Sequence, residues 1–260
     1  MKKVLAATAL AAVLPQANAL PLVDFYAGGY YWDQSYSGEI TDSSSEVDLE
    51  DNLNLDGVGN NVFYLAFEHP IPVIPNIKVK QTSMSTEGDD GTVTASFNLG
   101  GTSFTGNASD VMSEADFSHT DFTLYWSLPL PIVTVDFGLT ARQFDGFVKM
   151  ESETLNQSAE ADLNAVVPML YGKVGVDIPL TGLSVGGDVN YIGLGDSGVT
   201  DYDVNLTYVL PIIPLLDVGL TAGYRSFNFE VDPDDFGGSD DDLAAEATVA
   251  GPYFGLSLHL

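Results

Sequence analysis

The sequence contains no cysteine and very few basic residues. Its 260 residues include 8 Lys and Arg against 37 Asp and Glu. Without cysteine, the chain cannot form a disulfide scaffold, a thiolate zinc site or a cysteine nucleophile. Nucleic acid is excluded as a partner, because binding a phosphate backbone requires clustered basic side chains.

Long apolar runs are also missing beyond the first residues. The most apolar later window, 206–220, is interrupted by Pro211, Pro214 and Asp217. A membrane-spanning helix needs about 20 consecutive apolar residues. The sequence therefore predicts no such helix.

The first 19 residues have the features of a secretory signal peptide. Residues 2–3 are lysines, 4–14 are apolar, and 17–19 (Ala-Asn-Ala) form a small-x-small cleavage site. We expect cleavage after Ala19, which leaves 20–260 as one domain. Loss of the two lysines changes the net charge from −29 to −31.

The mature chain shows period-two alternation in segment after segment. Between 201 and 208, for example, Tyr, Val, Leu and Tyr at even positions alternate with Asp, Asp, Asn and Thr at odd positions. One apolar and one polar face are typical of β-strands. Ten such segments lie near 22–34, 61–68, 77–86, 116–128, 133–148, 163–178, 183–194, 199–210, 215–230 and 246–260. An even number lets a closed barrel be antiparallel throughout, with both chain ends on one side.

The connections between these segments are of two alternating kinds. Five carry 26 of the 37 acids and no Lys or Arg, and lie near 36–60, 87–116, 150–162, 195–199 and 230–246. The other four are short, free of acids and contain proline, at 69–76, 129–132, 179–182 and 211–214. Outer-membrane barrels likewise have short periplasmic turns and longer extracellular loops. We predict an all-β, antiparallel up-and-down transmembrane barrel of about ten strands with periplasmic termini. A soluble sandwich or barrel with an apolar core is the alternative.

Outward-facing aromatic residues form two rows in this interpretation. Four stand about three residues above the nearest turn or chain end, and four stand about nine residues above it. Six residues of strand span roughly 20 Å at about 3.4 Å each, close to the apolar band of about 25 Å that aromatic girdles flank in such barrels. The predicted girdle residues are Phe25, Phe67, Trp126, Tyr208, Tyr31, Tyr191, Tyr202 and Tyr224.

The first predicted strand contains the pair Gly28-Gly29, within 23–32 (VDFYAGGYYW). With the strand pattern and the closing GPYFGLSLHL, the chain resembles the small proteobacterial outer-membrane β-barrel proteins named for this Gly-Gly motif. The resemblance implies a location in the Gram-negative outer membrane, contact with its lipid and lipopolysaccharide, and no catalytic residues. The last strand also resembles the assembly signal read by the barrel-insertion machinery, although that signal usually ends in Phe. Its residues here are Phe254, Leu256, Leu258 and Leu260.

Charged residues on the inward faces form a predicted interior network. It contains five of the six basic residues of the mature chain and nine acids: Lys78, Lys80, Arg142, Lys173, Arg225, Asp24, Glu68, Asp121, Asp136, Asp177, Asp188, Asp201, Asp203 and Asp217. Opposed side chains on paired strands lie about 5 Å apart and can form ion pairs. Counting from the proline turns predicts that Lys173 faces Asp188, that Arg225 faces Asp201, and that Arg142 faces His119 with Asp121 diagonal to it.

Two functions compete over this interior. Buried charges must be paired, and ten strands enclose little more space than the eight that side chains can fill. This favours a plugged barrel with a structural or surface-interaction role. Alternatively, the charges line a small pore, which nine acids against five bases would make cation-preferring.

An enzyme is a third and less favoured class. His119 and Asp121 share an inward face and could activate water, but a His beside Asp and Arg is more often simply hydrogen-bonded. We therefore expect no catalytic activity, no cofactor and no specific metal site. The acid runs 232–235 and 240–242 lack the spacing of a calcium loop, so we expect only weak, nonspecific association of Ca²⁺ or Mg²⁺ with the acidic loops.

Overall fold

The computed structural model describes most of the chain after the predicted signal peptide. The described residues are 23–42, 45–55, 57–93, 97–99, 102–104, 108–128, 130–152, 154–213, 216–232, 235 and 244–260. The predicted cleavage site and the acid run 240–242 lie outside them. Within these ranges, no helix is long and apolar enough to cross a membrane.

The described chain is built of β-strands. They are β1 (Asp24–Asp42), β2 (Ser45–Asp48), β3 (Val58–Glu68), β4 (Asn76–Thr82), β5 (Ser85–Val93), β6 (Phe97–Leu99), β7 (Thr102–Phe104), β8 (Ala108–Asp116), β9 (His119–Ser127), β10 (Val133–Ser152), β11 (Gln157–Ile178), β12 (Leu183–Leu194), β13 (Ser197–Ile213), β14 (Leu216–Val231) and β15 (Ala244–His259).

Ten of these strands form the wall of a closed antiparallel barrel. Their order is β1-β3-β4-β9-β10-β11-β12-β13-β14-β15, and β15 pairs back onto β1. The strands β5 and β8 pair with each other and extend the β4–β9 hairpin, while β2 folds back on β1. Each predicted segment overlaps one wall strand, so the prediction of an all-β, ten-stranded antiparallel barrel is confirmed.

The apolar face of the wall strands points outward. On β13, Tyr202, Val204 and Leu206 are 42%, 56% and 47% exposed, whereas Asp201 on the opposite face is 2% exposed. A soluble barrel with an apolar core would bury the first face and expose the second. The alternation along β13 therefore has the sense expected of a barrel surrounded by lipid.

The two ends of the barrel differ, and we call them the turn end and the mouth end. The short proline-containing connections lie at the turn end. At the mouth end, the expectation of long loops is wrong for 150–162, because β10 and β11 pair continuously up to Ser152 and Gln157. Parts of 36–60, 87–116 and 230–246 are likewise strand. Backbone pairing continues wherever a neighbouring strand is present and does not require an apolar outer face, so polarity alone marked these segments wrongly as loop.

The Gly28-Gly29 pair makes room for two aromatic rings of β3. A Cβ at Gly28 would lie 2.4 Å from Cζ of Tyr64 inside the barrel, and one at Gly29 would lie 2.7 Å from Cδ1 of Phe63 outside it. Both distances are far below van der Waals contact. The pair therefore lets a ring lie flat against β1 on each face, an arrangement that pins strand register.

Candidate functional site

A layer of paired charges crosses the barrel interior. Arg142 donates from Nε and Nη2 to the two oxygens of Asp121 at 2.7 and 2.8 Å, and from Nη2 to Asp201 as well. Arg225 donates from Nε and Nη2 to Asp201 at 2.8 and 2.6 Å. All four residues are at most 2% exposed. We call them the ionic layer; two guanidinium groups and two carboxylates balance its formal charge, and the bidentate geometry makes its hydrogen bonds strong.

The strand register places Arg142 two residues away from the predicted position. Arg142 pairs with Asp121, and the predicted partner His119 pairs with Phe144. The connection between β9 and β10 includes two more residues than the tight turn assumed, since the amide of Leu128 donates to the carbonyl of Val135. Asp121 is thus directly opposite Arg142 and not diagonal to it, which gives the bidentate contact.

For Arg225, the predicted ion pair is present although the predicted register is wrong. Arg225 lies opposite Asp203, two residues from the predicted position, because the strands pair as far as Ile213 and Leu216 and a one-residue bulge then separates that pair from Leu210 and Val218. The long side chain reaches diagonally to Asp201. A bulge cannot be counted from a turn sequence, so the shift could not be foreseen.

For Lys173, the predicted register is correct but the predicted ion pair is not formed. Lys173 lies opposite Asp188 in the register, as predicted. Its ammonium group, however, lies 3.7 Å from Asp136, while Asp188 accepts a 2.8 Å hydrogen bond from Lys78. The prediction of a Lys173–Asp188 ion pair is wrong, because a lysine from across the lumen reaches Asp188.

Further contacts fix the guanidinium group of Arg225. Its Nη1 donates to the hydroxyl groups of Tyr30 and Thr82 at 3.2 and 3.1 Å. Its centre lies 4.6 Å from the ring of Trp32, a cation–π distance. Trp32 in turn donates from Nε1 to the carbonyl of Gly251. The ionic layer is therefore tied to β1, β4 and β15 as well as to its own strands.

An apolar core fills the interior on the mouth side of the ionic layer. Its largest members at 0–2% exposure are Trp32, Leu53, Val62, Met84, Phe144, Met150, Met169 and Phe227. The segment after β2 adds Leu49, Leu53 and Leu55, which are at most 6% exposed. We call this core with its loop the apolar plug. The ionic layer and the apolar plug thus lie next to each other inside the barrel.

His119 is buried between the ionic layer and the plug. It is 3% exposed, its Nδ1 lies 2.9 Å from the carbonyl oxygen of Phe117, and its ring packs against Phe144 and Phe227. Among the described residues, His119 groups with Asp121 and Asp201 in a geometry that could hold a metal ion. Both carboxylates already bind guanidinium groups, so a cation would have to displace an arginine.

A cavity of about 600 Å³ lies on the turn side of the ionic layer. We call it the vestibule. Six tyrosines line it: Tyr26, Tyr30, Tyr64, Tyr125, Tyr171 and Tyr253. They pair as Tyr30 with Tyr253, whose ring centroids are 4.3 Å apart, and as Tyr125 with Tyr171 at 5.8 Å. Sequence reasoning missed these tyrosines, although the signal was available: each lies on the polar, inward parity of its strand.

The lysines of the vestibule are paired with carboxylates. Lys78 bonds to Asp188 at 2.8 Å, and Lys80 lies 3.8 Å from Asp121 and 4.0 Å from Asp188. The ammonium group of Lys78 also lies 5.8 and 5.3 Å from the ring centroids of Tyr64 and Tyr171. The aromatic wall of the vestibule thus already holds one cation.

The remaining predicted interior acids lie toward the turn end. Glu68, Asp177, Asp203 and Asp217 line the vestibule. Glu68 accepts a 2.7 Å hydrogen bond from the hydroxyl of Tyr125. At the rim, the ring of His259 lies 3.4 Å from Asp24 and 3.7 Å from Asp217. The structure therefore divides the predicted network into a buried layer, a paired lysine cluster and an acidic rim.

The residues predicted as girdles and as assembly signal lie on the outer face. Phe25, Tyr31, Tyr191, Tyr202, Tyr208 and Tyr224 are 41–51% exposed. Phe67 and Trp126 are half-buried because they pack on Phe25 and Phe137. On β15, Phe254, Leu256 and Leu258 are 64%, 53% and 37% exposed, and Leu260, directly after it, is 59% exposed.

No protein-family model matches the chain, and no curated protein sequence matches it. Solved structures that resemble it include the outer membrane protease OmpT from Escherichia coli, with 10% identity over 91% of this chain and 97% of that one and a TM-score of 0.48. A second is the Pseudomonas putida toluene transporter TodX, with 9% identity over 92% of this chain and 90% of that one and a TM-score of 0.25. A third is a Pseudomonas aeruginosa FadL homologue, with 10% identity over 92% of this chain and 90% of that one and a TM-score of 0.31. The assignment of a closed barrel to this chain rests on its own strand pairing.

Proposed function

We propose that this chain is a non-conducting barrel of the Gram-negative outer membrane with a structural or surface-interaction role. The observation that carries the proposal is the ionic layer, whose four side chains lie inside the barrel at no more than 2% exposure. The apolar plug supports it, because it adds a second closure on the mouth side.

The membrane location in this proposal is supported by the outer surface. Large apolar side chains such as Leu65, Leu139 and Leu170 are 59–65% exposed on the wall. An exposed apolar surface of this extent is unstable in water and matches the lipid-facing band of outer-membrane barrels. The proposal includes contact with outer-membrane lipid and lipopolysaccharide, insertion by the barrel machinery through β15, periplasmic termini, and membership of the Gly-Gly family.

Planar bilayer recording tests the closure. Refolded protein should give no steady conductance above a detergent blank. The double variant Asp201→Ala with Arg225→Ala removes half of the ionic layer and should open intermittent conductance if the layer is the barrier. Steady unitary conductance of the unmodified protein would overturn the proposal.

The second candidate is a small cation-preferring pore. The vestibule favours it, because it is open at the turn end and carries five carboxylates against three lysines. In the same recordings, this function would appear as a reversal potential shifted toward that of the cation in a salt gradient. A hydrolase is not part of the proposal, since His119 is enclosed by the plug and lacks access to substrate.

A further inference from the structure

The size and closure of the vestibule are those of a binding site. Its volume of about 600 Å³ lies within the range of about 300–1,000 Å³ that is typical of small-molecule sites. Its lining extends from Lys80, which lies 3.8 Å from Asp121 of the ionic layer, to His259 at the turn end, where it opens. A molecule that enters from that end would be held and not passed on.

The wall of the vestibule suits a positive charge on an organic molecule. Six tyrosine rings line the cavity, and aromatic faces attract ammonium groups within about 6 Å of the ring centroid. Lys78 shows that these particular faces accept a cation, since its ammonium group lies within that distance of both Tyr64 and Tyr171.

Two vestibule carboxylates that hydrogen-bond to tyrosines have no basic partner; Asp177, at an exposed position, is a third lining acid without an ion pair among the described residues. Glu68 accepts a hydrogen bond from Tyr125, and Asp203 accepts from Tyr253 at 3.0 Å and from Asn205 at 2.9 Å. Within the described part of the chain, neither forms an ion pair. The lysines are engaged by Asp188, Asp121 and Asp136, so none of them neutralises these two acids.

We propose that the vestibule binds a small organic cation, an ammonium compound with an aromatic or alkyl body, which enters from the turn end. The tyrosine rings would contact its body and its charged head, while Glu68 and Asp203 would balance its charge. This inference is independent of whether the barrel conducts, because binding requires only the open end of the vestibule.

Calorimetric titration of the full chain in nonionic detergent tests the proposal on the unmodified protein. The probes are benzyltrimethylammonium, the anion benzenesulfonate and the neutral benzyl alcohol, each corrected for empty micelles. We expect saturable binding of the ammonium probe, and at least tenfold weaker binding of the other two. No binding of the ammonium probe, or equal binding of the anion, would overturn the proposal.

A matched pair of double variants locates the site. Glu68→Gln with Asp203→Asn should weaken binding of benzyltrimethylammonium by tenfold or more. Glu160→Gln with Asp162→Asn makes the same charge change at exposed positions of β11 and should change affinity less than twofold. Equal weakening in both would show general charge attraction and would overturn the site. Far-UV circular dichroism verifies that each double variant folds. If a variant does not fold, the titration of the unmodified protein with the three probes still tests whether the vestibule prefers an organic cation.

Discussion

Lys78 Nζ lies 2.8 Å from Asp188 Oδ2, although their strands β4 and β12 are not neighbours in the barrel wall. Their residue numbers differ by 110, and three strands separate them around the circumference. The contact therefore crosses the lumen and ties opposite walls together, which no pair of adjacent strands can do.

Replacing Lys78 should lower the free energy of unfolding more than replacing Lys173, the lysine that lies opposite Asp188 in the strand register. Lys78→Ala strands a carboxylate that is only 13% exposed, and breaking a buried pair typically costs roughly 3–5 kcal/mol. Lys80 remains about 4.0 Å away and reduces that cost. Lys173 is 42% exposed and lies 3.7 Å from Asp136, which is 1% exposed; because this contact is longer than a hydrogen bond and its lysine is solvated, we expect Lys173→Ala to cost less than Lys78→Ala.

Urea unfolding of both variants in lipid vesicles measures the difference. Lys78→Asp combined with Asp188→Lys should recover part of the loss, since the swap retains the opposite charges. A larger effect of Lys173→Ala than of Lys78→Ala would contradict the prediction.

Asp201→Asn should destabilise the protein more than Asp203→Asn, although Asp203 lies only two residues further along the same face of β13. Asp201 accepts from both Arg225 and Arg142, so Asp201→Asn leaves a buried excess of positive charge, which we expect to cost roughly 3 kcal/mol or more. Asp203 has no ion pair among the described residues, and Asn at that position can still accept from Tyr253. Thermal unfolding monitored by circular dichroism should show the larger decrease in Tm for Asp201→Asn; equal decreases would contradict the role of the ionic layer.

The Gly28-Gly29 pair can be tested with a single methyl group. Gly28→Ala places a Cβ 2.4 Å from the Tyr64 ring, and such overpacking typically costs about 1–3 kcal/mol. Gly175→Ala is the control on an inward face, because its Cβ would meet Thr134 at an ordinary 3.5 Å. Urea unfolding should show a larger loss of stability for Gly28→Ala than for Gly175→Ala. In a Tyr64→Ala background, Gly28→Ala should no longer have this additional cost.

The absence of cysteine makes orientation directly measurable. Thr154→Cys lies in the turn between β10 and β11 at the mouth end, and Val73→Cys lies at the turn end with 83% exposure. A membrane-impermeant maleimide should label the first variant on intact cells and the second only after lysis. The opposite pattern would invert the proposed orientation.

The mouth end should respond to divalent cations. Glu39 on β1 pairs with Asp48 on one side and Glu246 on the other. The Glu46 carboxylate raises the pKa of Glu39 above its usual value, with smaller contributions from burial and from Glu246. Because the pKa of Glu39 is higher in the folded state, ionisation of Glu39 destabilises the folded structure at the mouth end as the pH rises through that pKa.

Millimolar Ca²⁺ or Mg²⁺ should therefore raise Tm at pH 7, because the cations relieve this repulsion. Glu39→Gln should show a smaller response. NaCl at matched ionic strength is the control, and an equal shift in NaCl would mean simple screening.

The strand pattern could be predicted from the sequence because each wall strand places one face in lipid. Every outward residue of β13 from Tyr202 to Tyr208 is apolar, and this alternation survives any error in register. The same parity rule was applied to charged residues, and Arg142, Arg225, Asp121 and Asp201 lie buried inside the barrel. Ten strands and an ionised interior follow from that rule alone.

Register and pairing were harder because they depend on features outside each strand. Arg225 lies two residues from its predicted position because β13 and β14 pair up to Ile213 and Leu216 and a one-residue bulge follows before Leu210, and no local signal in the sequence reveals either feature. The contact of Lys78 with Asp188 depends on the diameter of the lumen and the rotamer of a long side chain, neither of which alternation encodes. The apolar plug was missed for a similar reason, since Leu49 and Leu53 lie in a segment that its acids marked as solvated loop.

The pairing of the first wall strand with the last has a consequence for biogenesis. Phe25 and Leu260 exchange both of their backbone hydrogen bonds, at 3.1 and 3.0 Å, so the barrel closes where β15 pairs with β1. Until β15 arrives, β1 and β14 both present unpaired edges, which are templates for adhesion to other chains. Under the proposed location in the outer membrane, those two edges have to stay covered until the pairing of β15 with β1 is complete.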